Sequence, residues 1–144
     1  MKSKHRFVFD TNTIVSGLLL PESKPRQAFD RAQEQGSILI SISILAELNE
    51  VLSRKKFNPY VSEEKRKRFL AVLAKEAKLI EITEQIVECR DPKDNKFLEL
   101  AFCGNADYII SGDKDLIVLN PFRGIAVLKP DEFLKEILKN NKAA

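Results

Sequence analysis

Apolar positions along the chain fall into short runs with two different spacings. Arg6 to Phe9 is a compact β-prone run that stops at Asp10, and Thr13 to Leu20 is apolar enough to start a buried helix closed by Pro21. Ser23 and Pro25 precede Ala28, Phe29 and Ala32 at helical spacing, and Gly36 supplies a stop, which predicts a helix over 25–35. Ile38 to Ile42 is a β-branched strand. Ser43 as N-cap then leads into a helix with Ile44, Leu45, Leu48, Val51 and Leu52 at intervals of three, four and seven. Beyond Asn58 and Pro59, Ser62 caps a helix with Phe69, Val72, Leu73 and Ala77 on one face, and Leu79 to Ile82 reads as a strand. Asp91 and Pro92 open a helix carrying Phe97, Leu98, Leu100, Ala101 and Phe102, which stops at Gly104. Asp107 to Ser111 and Ile125 to Leu128 read as strands, and Pro130 to Leu138 as a closing helix. Strands separated by helices imply right-handed crossovers. The expected fold is therefore α/β, a three-layer α/β/α sandwich around a mostly parallel sheet of about five strands. With no repeat, linker or low-complexity tract, residues 1–144 are expected to form one domain.

In an open α/β sheet, ligands bind beyond the carboxyl ends of the strands. Four acids fall at that edge. Asp10 ends the first strand, Glu47 lies in the first turn or so of the helix after the second, and Asp94 lies in the first turn of the helix opened by Asp91 and Pro92. Asp113 follows the strand 107–111 by two residues. Asp10 and Asp91 are equally well placed as helix caps. Glu47 stands among Leu45, Ala46 and Leu48 on a helix expected to bury most of its surface, where an unpaired carboxylate is costly. Four converging carboxylates repel, and their pKa values rise unless cations neutralise them. The single histidine and two cysteines exclude a His-rich or zinc-type site, and oxygen-only ligation suits Mg2+ or Mn2+. Such a centre supports in-line displacement at phosphorus by metal-activated water. Thr11, Asn12, Ser43 and Ser111 are placed either to orient these acids or to serve as turn and cap residues. Asp115 is either an outer acid of the site or a solvated turn residue.

Composition changes this picture only slightly. At 44% apolar and 31% charged the chain has a globular balance, and 24 Lys and Arg against 21 Asp and Glu leave a net charge of only +3. Setting the four proposed metal-site acids aside leaves 24 basic residues against 17 acids, so the modest total conceals an acidic pocket and a basic remainder. Between residues 54 and 68, Arg54, Lys55, Lys56, Lys65, Arg66, Lys67 and Arg68 outnumber Glu63 and Glu64 by five. That run is either a source of phosphate contacts for RNA or a solvated helix face. Phe57 and Tyr60 lie between its two halves, placed to stack on bases or to pack, and Lys114 stands beside Asp113 as a further candidate for phosphate. Met1 to Arg6 is polar and basic, with no secretion signal. With no apolar stretch of membrane-span length, and Cys89 and Cys103 as free thiols, a cytoplasmic protein is expected.

Four segments in order carry a family resemblance over nearly the whole chain: Val8–Asn12, Ser43–Leu48, Asp91–Asp94 with Phe97, Leu98, Leu100 and Ala101, and Ala106–Leu116. The chain resembles the PIN-domain ribonucleases, in particular the compact prokaryotic, VapC-like toxins of toxin–antitoxin pairs. The resemblance implies an acidic tetrad at Asp10, Glu47, Asp94 and Asp113, with supporting residues at Asn12 and Ser111 and a further acid at Asp115. It also implies Mg2+- or Mn2+-dependent RNA cleavage, a homodimer or higher homo-oligomer, and a cognate antitoxin. A haloacid-dehalogenase-type phosphatase also begins with an Asp after a first strand, but its chemistry needs a second acid two residues on, where this chain has Asn12. A non-cleaving RNA- or protein-binding module of the same fold is the other alternative, against which the presence of all four acids argues.

Overall fold

In a computed structural model of the chain, residues 5–143 are described, with side chains as far as Lys139; Met1–Lys4 lie outside the described residues. The order is β1 (His5–Phe9), α1 (Thr11–Leu19), α2 (Lys24–Gln35), β2 (Gly36–Ile40), α3 (Ile42–Leu52), α4 (Glu63–Glu76) and β3 (Lys78–Leu79). After a long irregular segment follow α5 (Asn95–Cys103), β4 (Tyr108–Ile110), α6 (Lys114–Ile117), β5 (Ala126–Leu128) and α7 (Pro130–Ala143). The strands line up as β3-β2-β1-β4-β5, and every pairing is parallel. The expected α/β/α sandwich is the fold, with a sheet fully rather than mostly parallel.

Strand order explains where a site can form. The chain moves outward from β1 to β2 to β3, then returns to the other side of β1 to lay down β4 and β5. Right-handed crossovers running in opposite directions put their helices on opposite faces, so the connections diverge at the carboxyl ends of β1 and β4. A crevice opens there between side chains that follow the two strands. Phe7 and Phe9, two residues apart on one face of β1, meet Phe133 of α7 and Phe29 of α2 edge-on at 5.5 and 5.4 Å between ring centres. Phe7 also stacks on Tyr108 of β4. These buried rings fix the two strands whose ends carry the site. Gly36 is required at the start of β2 because a Cβ there would lie 2.0 Å from the His5 carbonyl oxygen on β1.

Local chemistry moved several boundaries. The N-cap of α3 is Ser41, whose Oγ accepts from the Ile44 amide, so the helix starts before Ser43 rather than at it. Ser41 and Ser43 offer equivalent hydroxyls, and the earlier one wins because β2 ends at Ile40. Helix α3 buries Ile44, Leu48 and Leu52 and leaves much of the rest outside, so Glu47 is half-exposed rather than enclosed. The strand expected over 79–82 shrinks to Lys78–Leu79, and that over 107–111 to Tyr108–Ile110. The helix opened by Asp91 and Pro92 begins as a 3₁₀ turn (Pro92–Asp94) before α5 takes over. The four-residue α6 has no apolar periodicity to announce it and forms because Asp113 caps it.

Candidate active site

Asp10 follows β1 and caps α1. Its Oδ1 accepts from the Thr13 amide at 2.8 Å, and Oδ2 accepts from the Ser111 hydroxyl. Only 5% of the residue is exposed. Burial raises its pKa above the usual carboxylate value, the bonds from Ser111 and Thr13 pull it back, and the nearby Asp113 charge raises it further. Ser111 ties the two strand ends together through its bond to Asp10, and its Oγ also accepts from the Asp113 amide at 2.9 Å. Ser111→Ala removes both bonds in a fully buried position, and is expected to cost about 1–3 kcal/mol of stability in urea denaturation. An unchanged midpoint would show that the hydroxyl holds nothing.

Asp113 caps α6, with Oδ1 accepting from the Asp115 amide at 2.8 Å. Its carboxyl is a neighbour of the carboxyl of Asp94, and two carboxylates this close disfavour ionising together. Burial and the neighbouring Asp113, Asp91 and Asp10 carboxylates push the Asp94 pKa up to about 7. One oxygen of that partly exposed group, Oδ2, is buried and has no hydrogen-bond partner. A buried acceptor without a donor is uncommon and calls for an explanation.

Glu47 lies across the cleft from these acids. It accepts from the Thr11 hydroxyl and from the Lys96 ammonium of α5. The cleft joining them measures about 370 Å³ and is lined by all four acids together with Arg54, Lys93 and Lys96. The structure thus brings Asp10, Glu47, Asp94 and Asp113 to one cleft at the carboxyl edge of the sheet.

The donor set fits a hard divalent cation. Asp94 and Asp113 press two carboxyls together, Asp10 stands beside them, and the unpartnered Asp94 Oδ2 is an acceptor a cation would satisfy. Glu47 already has Lys96 for its counter-charge, and among the described residues no three acidic, histidine or cysteine side chains are gathered tightly enough to enclose an ion as they stand.

Other sequence candidates are distributed differently. Thr11 bonds Glu47, and exposed Asn12 lines the cleft. The Ser43 hydroxyl lies 3.4 Å from that of Ser41, while Glu47 is held by Thr11 and Lys96. Asp91 caps the 3₁₀ turn through the Lys93 amide. Asp115 is turned to Arg90 at 3.1 Å and does not line the cleft. Lys114 is exposed and lies outside the cleft as well.

The basic run separates into unlike parts. Arg66 is 1% exposed, its guanidinium donating to the carbonyls of Leu52, Val61 and Arg54 and to Asn58 Oδ1, so it is an internal clamp and not a phosphate contact. The apolar helix face displaced it inward because an arginine fork can satisfy several carbonyls at once. Lys67 and Arg68 pair with Glu63 and Glu64 one helical turn earlier, each at 3.2 Å. Lys55, Lys56 and Lys65 are exposed, and Arg54 pairs with Glu50 at the cleft's rim. If Lys65, Lys67 and Arg68 do contact RNA, replacing all three by Ala lowers the salt slope of single-strand binding by about 2; an unchanged slope assigns them to solvent. Sequence reasoning missed Lys93 and Lys96. Their only signal was position, on the same turns as Asp94.

A family model described as PIN domain matches residues 6–115. The chain belongs to the PIN-domain family. A relative, the "Uncharacterized protein MJ1680" of Methanocaldococcus jannaschii, is 33% identical over 148 residues, covering 96% of this chain and 95% of its own. Two solved structures share the PIN-domain fold. One is VapBC2 from Rickettsia felis bound to a DNA fragment from its promoter, with TM-score 0.55 and 17% identity over 86% of this chain and 97% of that one. The other is VapBC-1 from nontypeable Haemophilus influenzae, with TM-score 0.58 and 12% identity over 88% of this chain and 98% of that one. The PIN-domain match ends at Asp115, so it contains all four cleft acids and leaves β5 and α7 beyond it. No helix among the described residues is long and apolar enough to cross a membrane.

Proposed function

We propose that this PIN-domain protein is a Mg2+- or Mn2+-dependent endoribonuclease, and that it is the toxin of a toxin–antitoxin pair. The observation that carries the nuclease reading is the Asp94–Asp113 carboxyl pair beside Asp10, with Asp94 Oδ2 buried and unpartnered, at the point where the strand order reverses. Asp10, Asp94 and Asp113 would hold the cation, with Glu47 facing them across the cleft. When bound, a divalent cation activates water and neutralises charge on the phosphoryl oxygens. Ser111 and the Thr13 amide hold both Asp10 oxygens in place, the Ser111–Asp10 bond joins the two strand ends, and the Ser111 Oγ also holds the Asp113 amide. The Asp94 and Asp113 carboxyls disfavour ionising together, and a divalent cation held between them would relieve that repulsion. Thr11 and Lys96 fix Glu47, and Lys93 and Arg54 give the cleft wall positive charge for a phosphate.

Purified protein incubated with defined RNAs is expected to cleave them with Mg2+ or Mn2+ and to stop on EDTA addition, and Asp10→Asn should be folded and inactive. Full cleavage in EDTA would overturn the reading. The toxin role draws on the fold shared with the two VapBC structures, and it implies a cognate antitoxin and a homodimer or higher homo-oligomer. Induced expression should arrest growth of a host cell, while Asp10→Asn should not; arrest by both would remove cleavage as the cause.

A further inference from the structure

A second cleft, of about 630 Å³, lies on the other side of Asp10, Asn12 and Asp113, which line both. An RNA strand with one phosphodiester at those carboxylates has to continue away from them in both directions. The first cleft receives one side. We propose that the second cleft carries the strand on the other side, with Lys24 and Lys129 contacting the phosphate next to the scissile one. This rests on the ribonuclease reading above and adds residues that neither the sequence motifs nor the acidic cleft contain.

Both lysines are exposed, and among the described residues neither forms an ion pair with a carboxylate. Their positions are unhelpful to the fold itself. Lys24 is the first residue of α2, and Lys129 immediately precedes Pro130 of α7, with its carbonyl accepting from the Phe133 amide. Helix N-termini favour acids. Helix α2 has none in its first turn, so Lys24 opposes its dipole unrelieved. In α7, by contrast, Asp131 and Glu132 complement the dipole, and Asp131 lines the same cleft beside Lys129. A bound phosphate reverses that balance, because the lysine ammonium and the helix end then both face an anion.

Gly112 supplies a separate observation. It lines the second cleft between Ser111 and Asp113, its backbone is not in the left-handed region, and a Cβ added there meets no atom within 4 Å. Neither backbone conformation nor protein packing requires glycine at this position. An added Cβ would meet open space beside the cleft, so a nucleotide chain has room to pass close to the Asp113 backbone. Pro25 and Pro130 form apolar walls, suited to the sugar or base of the same nucleotide.

The test measures binding of a fluorescent single-stranded uridine oligomer of about ten residues. Binding is followed by anisotropy with Ca2+ over a range of salt, with cleavage in Mg2+ and Mn2+ read in parallel. The double variant Lys24→Ala/Lys129→Ala is expected to bind about tenfold more weakly at low salt, with a salt slope reduced by about 1.4. Gly112→Leu should lose affinity to a similar degree with an unchanged melting temperature. The charge-matched control Lys75→Ala/Lys139→Ala, outside both clefts, should bind as the native chain does. An unchanged slope in Lys24→Ala/Lys129→Ala, an equal loss in the control, or native affinity in Gly112→Leu overturns the proposal. A native chain that binds but cleaves with neither metal overturns the nuclease reading while leaving the cleft to be decided by the slopes. A native chain that neither binds nor cleaves overturns both.

Discussion

Asp94→Asn is expected to lose the proposed metal-dependent cleavage and at the same time to stabilise the metal-free protein above neutral pH. The first effect follows from removing an anionic oxygen from the carboxyl pair, an interaction worth several kcal/mol of charge stabilisation, or about 10²–10³-fold in rate. The second follows from the raised pKa. In the unfolded chain this carboxyl ionises near 3.8, and in the fold near about 7. Between those values the native state holds a proton that the unfolded state has released, so stability falls as pH rises through the window. The contribution is fully present below pH 3.8 and gone above about 7, where ionised Asp94 is pressed against Asp113. Asparagine carries no charge and removes this dependence. Melting temperatures in EDTA should therefore fall more steeply from acid to pH 8 in the native chain than in Asp94→Asn. The gap at pH 8 should narrow on adding Mg2+, which stabilises whichever folded protein binds it. Parallel pH profiles, or native cleavage rates in the variant, would show that Asp94 is neither strained nor needed.

The largest loss of stability is expected from Arg66→Ala, a substitution in what reads along the sequence as a surface-charge run. Its guanidinium serves the carbonyls of Leu52 and Val61, with further bonds to Arg54 and Asn58, and so fastens α4 to the segment that follows α3. Deleting the fork orphans buried acceptors at about 1–3 kcal/mol each, and water entering the gap recovers part of that. A net loss of about 3 kcal/mol in urea denaturation is the expected result. Arg66→Lys should recover little, because an ammonium cannot span several carbonyls in the guanidinium plane. Ala at Lys65, Lys67 or Arg68 should change stability by no more than about 0.5 kcal/mol each, all three side chains being exposed, as are the ion pairs of Lys67 and Arg68. Equal, small effects at all four positions would return Arg66 to the surface.

These two residues mark the boundary between what a sequence states and what it leaves open. Apolar periodicity located the helices and strands because burial on one face imposes a spacing of two or 3.6 whatever the partner is. The parallel sheet followed from alternation of the two element types. Punctuation was readable where one residue alone does the work, as with Ser23, Ser62 and Gly104 at helix ends. It failed where neighbours compete, as with Ser41 and Ser43, or where a helix as short as α6 rests on a cap alone.

The edge rule selected Asp10, Glu47, Asp94 and Asp113 from sequence, since each follows a strand or opens a helix, and the strand order brings all four to one cleft. What sequence by itself determined was the fold class and the edge on which the acids lie. Tertiary structure alone decided that Asp94 is pressed against Asp113, that Lys96 neutralises Glu47, and that Arg66 points inward. It alone also placed Lys24 and Lys129 in one cleft, although about a hundred residues separate them. The physical reason is common to all four. Spacing fixes the face of an element on which a residue falls, whereas a charge is set by what stands opposite it, and that neighbour arrives from a distant part of the chain.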